Sequence, residues 1–338
     1  MANIAIIGAG AIGSVLGALL DRAGHAVTLI GRPAHVNAIR QAGLIVDGAL
    51  GTFTVHPEAA ETLEFQPDFA FLVVKTQDVL PAVQSSLPFL NDVPLVTFQN
   101  GVRSDEIVAT LIPRAQIISA VVNTAASYLT PGKVTIAYPG SIVVGRPFGE
   151  PDEVLKTVAG MLGAVIPTKL STNIQGAHWL KLIVNLNNAF PAITNMTYTQ
   201  IYADADMSQL AIRVIREGLA AVKKAGIRLE ALPDVPLILP QLIAGLPIRL
   251  AGVLLAASAR RRESEWPLLG STLQSLKRGR PTEIDYLNGE IVRLGQQHHL
   301  STPLNVAIVE IVHQIEQSGQ FLGIEQFKER IEGAGYGL

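Results

Sequence analysis

The sequence predicts an α/β protein, with a doubly wound sheet over residues 1–170 followed by an all-helical part over 171–338. Three observations predict it. Short apolar runs rich in β-branched residues alternate with helical segments through the first half, as in a parallel sheet covered on both faces. The first of these runs ends in a glycine-rich turn that opens a helix. From about Thr172 the strand signals give way to helical periodicity, which places a domain boundary near Leu170. At about 150 residues per domain, the length also suits two domains.

The elements follow in order. Ile4–Ile7 is apolar throughout and reads as a buried strand, with Ser14–Ala23 as the helix after it. Ala26–Ile30 is a second strand, closed by Gly31, and Ala34–Gln41 a second helix. Ala70–Val74 and Leu95–Phe98 are further buried strands; Ile117–Val122, Lys133–Ala137 and Ile142–Gly145 continue the β pattern. In the second half, Gln175–Asn188, Met207–Ala225, Leu268–Gly279, Glu283–His298 and Leu304–Gln317 read as helices. Asp206 and Ser301 are placed to cap two of them, and Gly226 follows the end of one.

Composition excludes several classes of function. Hydrophobic residues make up 49% and charged residues 16%, which is too apolar for a disordered chain. Lys and Arg total 26 against 28 Asp and Glu, so the chain lacks the basic excess of a nucleic-acid binder. The absence of cysteine excludes disulfides, thiolate metal sites and a cysteine nucleophile, and it suits a cytoplasmic protein. The 7 histidines show no HExxH or HxH spacing, so no metal is expected. The N-terminal apolar run has no basic residue before Arg22 and is interrupted by glycines, unlike a secretory leader. Val235–Ala259 is also apolar, but Pro236, Pro240, Pro247 and Arg249 break it as a membrane span. It reads as a helical hairpin or a subunit contact.

The turn Gly8-Ala9-Gly10-Ala11-Ile12-Gly13 lies between the first strand and the first helix. The first glycine permits the tight turn, the second lets a pyrophosphate approach the backbone, and the third lets helix and strand pack closely. Free N–H groups and the helix dipole then favour phosphate, which makes this a Rossmann-type dinucleotide site. Chains that bind NAD place an acid at the end of the second strand; Gly31 and Arg32 stand there instead. A small residue leaves room for a 2′-phosphate and a guanidinium grips it, so NADP(H) is expected over NAD(H). The alternative for Arg32 is a solvated surface charge. Lys75 and Asn100 follow later strands, at the carboxyl edge where such sheets bind ligands. Lys75 suits cofactor phosphate or ribose, and Asn100 suits the nicotinamide ribose or a substrate; either could equally be a turn residue.

In the helical half, Lys181, Asn185 and Asn188 fall at i, i+4 and i+7 and share one face of an otherwise apolar helix. Buried polar groups need partners, so this face either lines a site or bonds neighbouring backbone. A lysine there is a candidate proton donor to a carbonyl oxygen, with a structural ion pair as the alternative. Thr282 is placed to cap a helix that Glu283 begins, and Glu283 either serves a site or satisfies that helix end. Ser271 alone reads as a surface serine.

Together these segments resemble the ketopantoate reductases (2-dehydropantoate 2-reductases). The matching pieces are GAGAIG at Gly8–Gly13, Arg32, VVKTQD at Val73–Asp78, QNG at Gln99–Gly101, WLKLIVNLNNA at Trp179–Ala189 and GRPTEIDYLNG at Gly279–Gly289. They occur in the family's order and span most of the chain. The resemblance implies a Rossmann domain joined to a helical domain of the 6-phosphogluconate dehydrogenase C-terminal type, with the active site in the cleft between them. It implies reduction of 2-dehydropantoate to (R)-pantoate with NADPH, a step toward pantothenate and coenzyme A. Lys181 matches the family's general acid, and Glu283 the acid that contacts the substrate hydroxyl. Asn100, Asn185 and Ser271 match substrate-binding residues. Gly8, Gly10, Ala11, Ile12, Gly13, Arg32, Lys75 and Asn100 match cofactor contacts.

The chain departs from the family pattern at Ala189, where a second asparagine is frequent, and at Ser275, where an acid is frequent. Leu232–Trp266 is long and apolar beside short members, and Arg260-Arg261-Arg262 within it reads as a solvated helix end. Two alternatives stand beside the ketopantoate reading: a reductase of another branched 2-keto acid, and a non-catalytic NADPH-binding sensor. Retention of both Lys181 and Glu283 argues against the sensor. The expected partners are a small 2-keto acid and a second copy of the chain, with neither nucleic acid nor membrane.

Overall fold

A computed structural model describes residues 1–262 and 270–333. It forms two compact units, Met1–His178 with Leu232–Asp234, and Trp179–Ala231 with Val235–Leu338. The boundary expected at 170/171 lies inside a short strand, and the first unit continues to His178.

Alternation along the first strand sets the layers of the first unit. In β1 (Asn3–Ile7), Ile4 and Ile6 join one buried cluster while Ala5 and Ile7 join another, so both faces are covered. The other strands are β2 (Ala26–Ile30), β3 (Leu44–Gly48), β4 (Phe53–Val55), β5 (Glu58–Ala60), β6 (Phe69–Leu72), β7 (Leu95–Thr97), β8 (Ile117–Val122), β9 (Ala125–Thr130), β10 (Lys133–Tyr138), β11 (Ile142–Gly145) and β12 (Thr168–Ser171). The main sheet runs β12-β11-β8-β7-β6-β1-β2-β5. Its pairs are parallel except β8 with β11. From β1 the chain builds outward through β2 and β5, then returns to β6 on the other side. This reversal is the switch point at which doubly wound sheets bind ligands.

Helices α1 (Ala11–Arg22), α2 (Pro33–Ala42), α3 (Val79–Ser86), α4 (Ser104–Val108) and α5 (Glu153–Gly163) belong to this unit. The strand expected at Lys133–Ala137 forms, outside the main sheet. As β10 it joins a separate sheet of order β4-β3-β10-β9. Val134 and Ile136 of β10, with Leu44 and Val46 of β3, share a core with Leu16 and Leu20 of α1. The second sheet thus covers the face of α1 turned from the main sheet.

The second unit is helical. α6 (Ile174–Asn185) starts in the first unit and ends in the second, and a short 3-10 turn at Leu186–Asn188 continues it. Then follow α7 (Ala189–Thr194), α8 (Tyr198–Tyr202), α9 (Ala205–Lys224), α10 (Ile238–Gly245), α11 (Ile248–Arg262), α12 (Ser271–Lys277), α13 (Asn288–Gln297), α14 (Pro303–Ser318) and α15 (Ile324–Gly333). Gly226 follows the end of α9 with φ +69°, as its position predicts.

The caps differ from expectation. Asp204, not Asp206, caps α9 by accepting from the N–H groups of Asp206 and Met207. Thr302, not Ser301, precedes α14, whose first N–H groups bond the Glu217 carboxylate of α9. The helix expected from Glu283 is broken at Leu287: Ile284–Tyr286 is a 3-10 turn and α13 begins at Asn288. Of the helix expected at Leu268–Gly279, α12 covers the middle, while Leu268 and Leu269 lie outside the described residues.

The apolar stretch after Val235 becomes α10 and α11, separated at Leu246–Pro247. The Arg216 guanidinium of α9 bonds the carbonyls of Ile243 and Leu246 and so closes the α10 C-terminus. Residues 263–266 of this stretch lie outside the described residues. Among the described residues, no helix is long and apolar enough to cross a membrane.

Candidate active site

The parallel register sets the first group of candidate residues. Ile7 pairs with Ile30 of β2 and with Leu72 of β6, and Leu72 with Thr97 of β7. The residues that follow these strands therefore leave the sheet at one edge. They are the Gly8–Gly13 turn, Gly31 and Arg32, the loop to Lys75 and the loop to Asn100. Side chains tie the last two loops together. The Gln99 amide donates to the carbonyls of Leu72 (2.8 Å) and Val74 (3.1 Å), and the Thr76 hydroxyl donates to the Asn100 carbonyl at 3.0 Å.

Three observations show that this edge fits a dinucleotide. Gly10 is the N-cap of α1 and gives no side-chain cap, so the first N–H groups of the helix remain for a ligand. A Cβ on Gly10 would meet nothing within 4 Å, whereas one on Gly13 would overlap the Gly8 carbonyl oxygen. The middle glycine therefore faces open space and the last one permits the helix–turn contact, as the motif requires. Finally, Arg32 is exposed at the N-cap of α2, and its guanidinium has no partner among the described residues. The smallness of Gly31 has a further cause, since a Cβ there would come within 2.8 Å of the Ala9 Cβ. An acid at position 31 would press on the glycine turn, so packing disfavours it.

A second group of candidate residues lies in the helical unit. Lys181 is half-buried on α6, and Asn185, one turn on, is buried. Asn188, in the 3-10 turn, accepts from the Tyr198 hydroxyl at 2.6 Å. A Cβ on Gly270, just before Ser271, would lie 3.5 Å from the Asn188 carbonyl, so the start of α12 abuts the end of the lysine segment. Asn288 of the Glu283 segment reaches the same place, donating to the Leu186 carbonyl and to Asn305. Glu283 is buried beside it, and Thr282 holds the turn by accepting from the Ile284 N–H. The lysine helix, the start of α12 and the Glu283 segment are thus neighbours. Ser275, where an acid is frequent, is buried and donates to the Ser271 carbonyl.

Comparisons with known proteins show the family. Residues 4–148 match the family model described as ketopantoate reductase PanE/ApbA, and residues 173–316 match its C-terminal counterpart. The chain belongs to the ketopantoate reductase family. A 2-dehydropantoate 2-reductase of Pyrococcus horikoshii is 29% identical over 94% of this chain and 98% of its own. The crystal structure of a PanE/ApbA family ketopantoate reductase from Ralstonia eutropha is 30% identical, with a TM-score of 0.78 over 93% of this chain and 98% of that one. D-mandelate dehydrogenase, solved with NADH and anilino(oxo)acetate, has the same fold at a TM-score of 0.79 and 23% identity, covering 93% of this chain and 98% of its own.

One cluster in this ketopantoate reductase family member escaped the sequence reading. His178 is buried on α6, and its Nε2 lies 2.7 Å from the Ser119 hydroxyl of β8. Ser119 in turn lies 2.8 Å from the buried Asp105 carboxylate of α4, whose other oxygen accepts from Thr97 at 2.6 Å. Burial pushes the His178 ring below the ordinary histidine value, against the opposing pull of Asp105 and a hydrogen bond to the Gly101 backbone. The signal available in the sequence was a histidine one turn before Lys181, but its partners are fixed by strand pairing, which places Thr97 opposite Ser119.

Proposed function

We propose that this chain reduces 2-dehydropantoate to (R)-pantoate with NADPH, a step toward pantothenate and coenzyme A. Lys181 carries the reading: a half-buried ammonium on an apolar helix, followed one turn later by a buried asparagine, in a family of ketone reductases. The dinucleotide, when bound, supplies the hydride that reaches C2 of the keto acid. Backbone N–H groups at Ala11, Ile12 and Gly13, beside Gly8 and Gly10, hold its pyrophosphate. Arg32 holds the 2′-phosphate as a forked, charge-assisted donor, while Lys75 and Asn100 serve the ribose side.

Lys181 polarises the substrate carbonyl and gives a proton to its oxygen as negative charge develops there. Asn100, Asn185 and Ser271 orient the keto acid by hydrogen bonds. Glu283 accepts the hydroxyl that distinguishes ketopantoate from simpler branched 2-keto acids. A buried acceptor left without its hydroxyl partner penalises such analogues strongly. We also infer a homodimer, supported by the exposed apolar side chains of α10 and α11.

Purified protein mixed with NADPH and ketopantoate, followed at the nicotinamide absorbance band, tests the activity. Rapid oxidation that falls by about 10²–10⁴ in Lys181→Ala is expected. The ratio of kcat/KM for ketopantoate over ketoisovalerate should reach about 10⁴. NADPH binding without turnover of either acid would overturn the reductase reading. Equal use of both acids would overturn the named substrate.

A further inference from the structure

The Asp105–Ser119–His178 cluster contains the residue types of a nucleophilic triad in a different order. The serine sits in the middle and everything is buried, so no substrate oxygen or carbonyl reaches it. Its hydrogen count shows what it does. Ser119 has one hydroxyl hydrogen and three neighbours, the Asp105 carboxyl at 2.8 Å, His178 Nε2 at 2.7 Å and the Thr97 hydroxyl at 3.3 Å. The ring also bonds the Gly101 backbone. The hydroxyl hydrogen of Ser119 serves one neighbour at a time, and the bonds hold the three side chains together.

The placement of these bonds matters more than the position of the proton. Gly101 follows Asn100 in the loop after β7, and Asp105 opens α4 just beyond it. His178 lies on α6, one turn before Lys181. We propose that His178 is a positioning residue for ketone reduction, a ring that fixes the Asn100–Gly101 turn and the lysine-bearing helix to one buried Asp105–Ser119 pair. It touches neither reactant; it acts through Asn100 and Lys181. The inference rests on the reductase reading above.

The test is His178→Ala measured in two ways. Steady-state kinetics should show kcat for ketopantoate reduced about tenfold or more with KM changed less than about threefold, since the loss falls on alignment in the transition state. Adding His178→Ala to Lys181→Ala should cause a smaller loss than in the wild type, because the share that acts through the lysine has nothing left to act on. A purely structural histidine would instead lower both backgrounds equally. Hydrogen exchange, which needs no turnover, should show faster exchange in residues 98–104 and 176–181 than in the wild type. Ser119→Ala, which removes the bridge and spares the ring, takes the same measurements if His178→Ala does not fold.

Wild-type kcat in a folded variant, or an undiminished loss in the Lys181→Ala background, would overturn the positioning role. Unchanged exchange would overturn the clamp itself. A wild-type protein that turns over no 2-keto acid would instead sink the reductase reading, and the exchange result would still decide whether the clamp exists.

Discussion

Arg32 is an isolated cation: exposed, set at the start of α2, and without a partner among the described residues. The role proposed for it, donation to a 2′-phosphate, makes a sharp prediction at the scale of one residue. Arg32→Ala should raise KM for NADPH by about 10- to 100-fold, the loss of one charge-assisted hydrogen-bonding group. KM for NADH should move little, because NADH has no 2′-phosphate to lose. Parallel titrations of the two cofactors check this, and an equal effect on both would return Arg32 to an ordinary surface charge. The place of Arg32 was legible because it depends on a local pattern, a strand end followed by a helix start. His178 was not, because residues 105, 119 and 178 are brought together only by the β7–β8 pairing and the course of α6.

At the scale of elements, His35 joins three pieces of the first unit. The Gly132 N–H, in the turn between β9 and β10, donates to its Nδ1 at 2.9 Å. That nitrogen is then an acceptor, so Nε2 carries the proton and donates to Ser14 of α1 at 3.0 Å. The ring thus holds α1 and the second sheet to α2 as a neutral group, and burial pushes its pKa from the ordinary 6.5 down to about 4. In the unfolded chain the histidine takes up a proton as pH falls below its ordinary value, while the folded ring does not. This contribution is therefore complete above about pH 6.5 and is lost as pH falls toward 4. Urea unfolding of the wild type and His35→Gln across this range should show a steeper decline for the wild type. Parallel slopes would remove His35 as the cause.

The second sheet that His35 supports was itself only half legible. Lys133–Ala137 has strand composition, but its partner β3 lies far back in the chain. Local pattern therefore registers the strand and not the sheet it joins. The Glu283 helix failed for a related reason, since its periodicity runs through Leu287 while the backbone breaks there (φ −116°, ψ −96°) to bring Asn288 onto the end of the lysine segment.

The whole molecule poses the question of what covers α10 and α11. Ile238, Leu242, Leu250, Val253 and Leu254 are exposed on these helices, while Ala251 is buried and α11 packs along α9. One side of the pair is therefore already satisfied inside the helical unit, and the other leaves an apolar surface in water. Apolar side chains exposed contiguously favour association, and a second copy of the chain offers the same surface in return. Sedimentation equilibrium at micromolar concentration should give twice the chain mass. Val253→Glu combined with Leu254→Glu would place charges in the contact without touching α9, and should shift the equilibrium to monomer while leaving the thermal transition of the folded chain in place. Because the two substitutions fall outside the lysine segment, the start of α12 and the Glu283 turn, the monomer's rate then reports whether one chain suffices for reduction. A wild-type chain that sediments as a monomer would remove the dimer, and would leave the apolar face of α10 and α11 without a role in assembly.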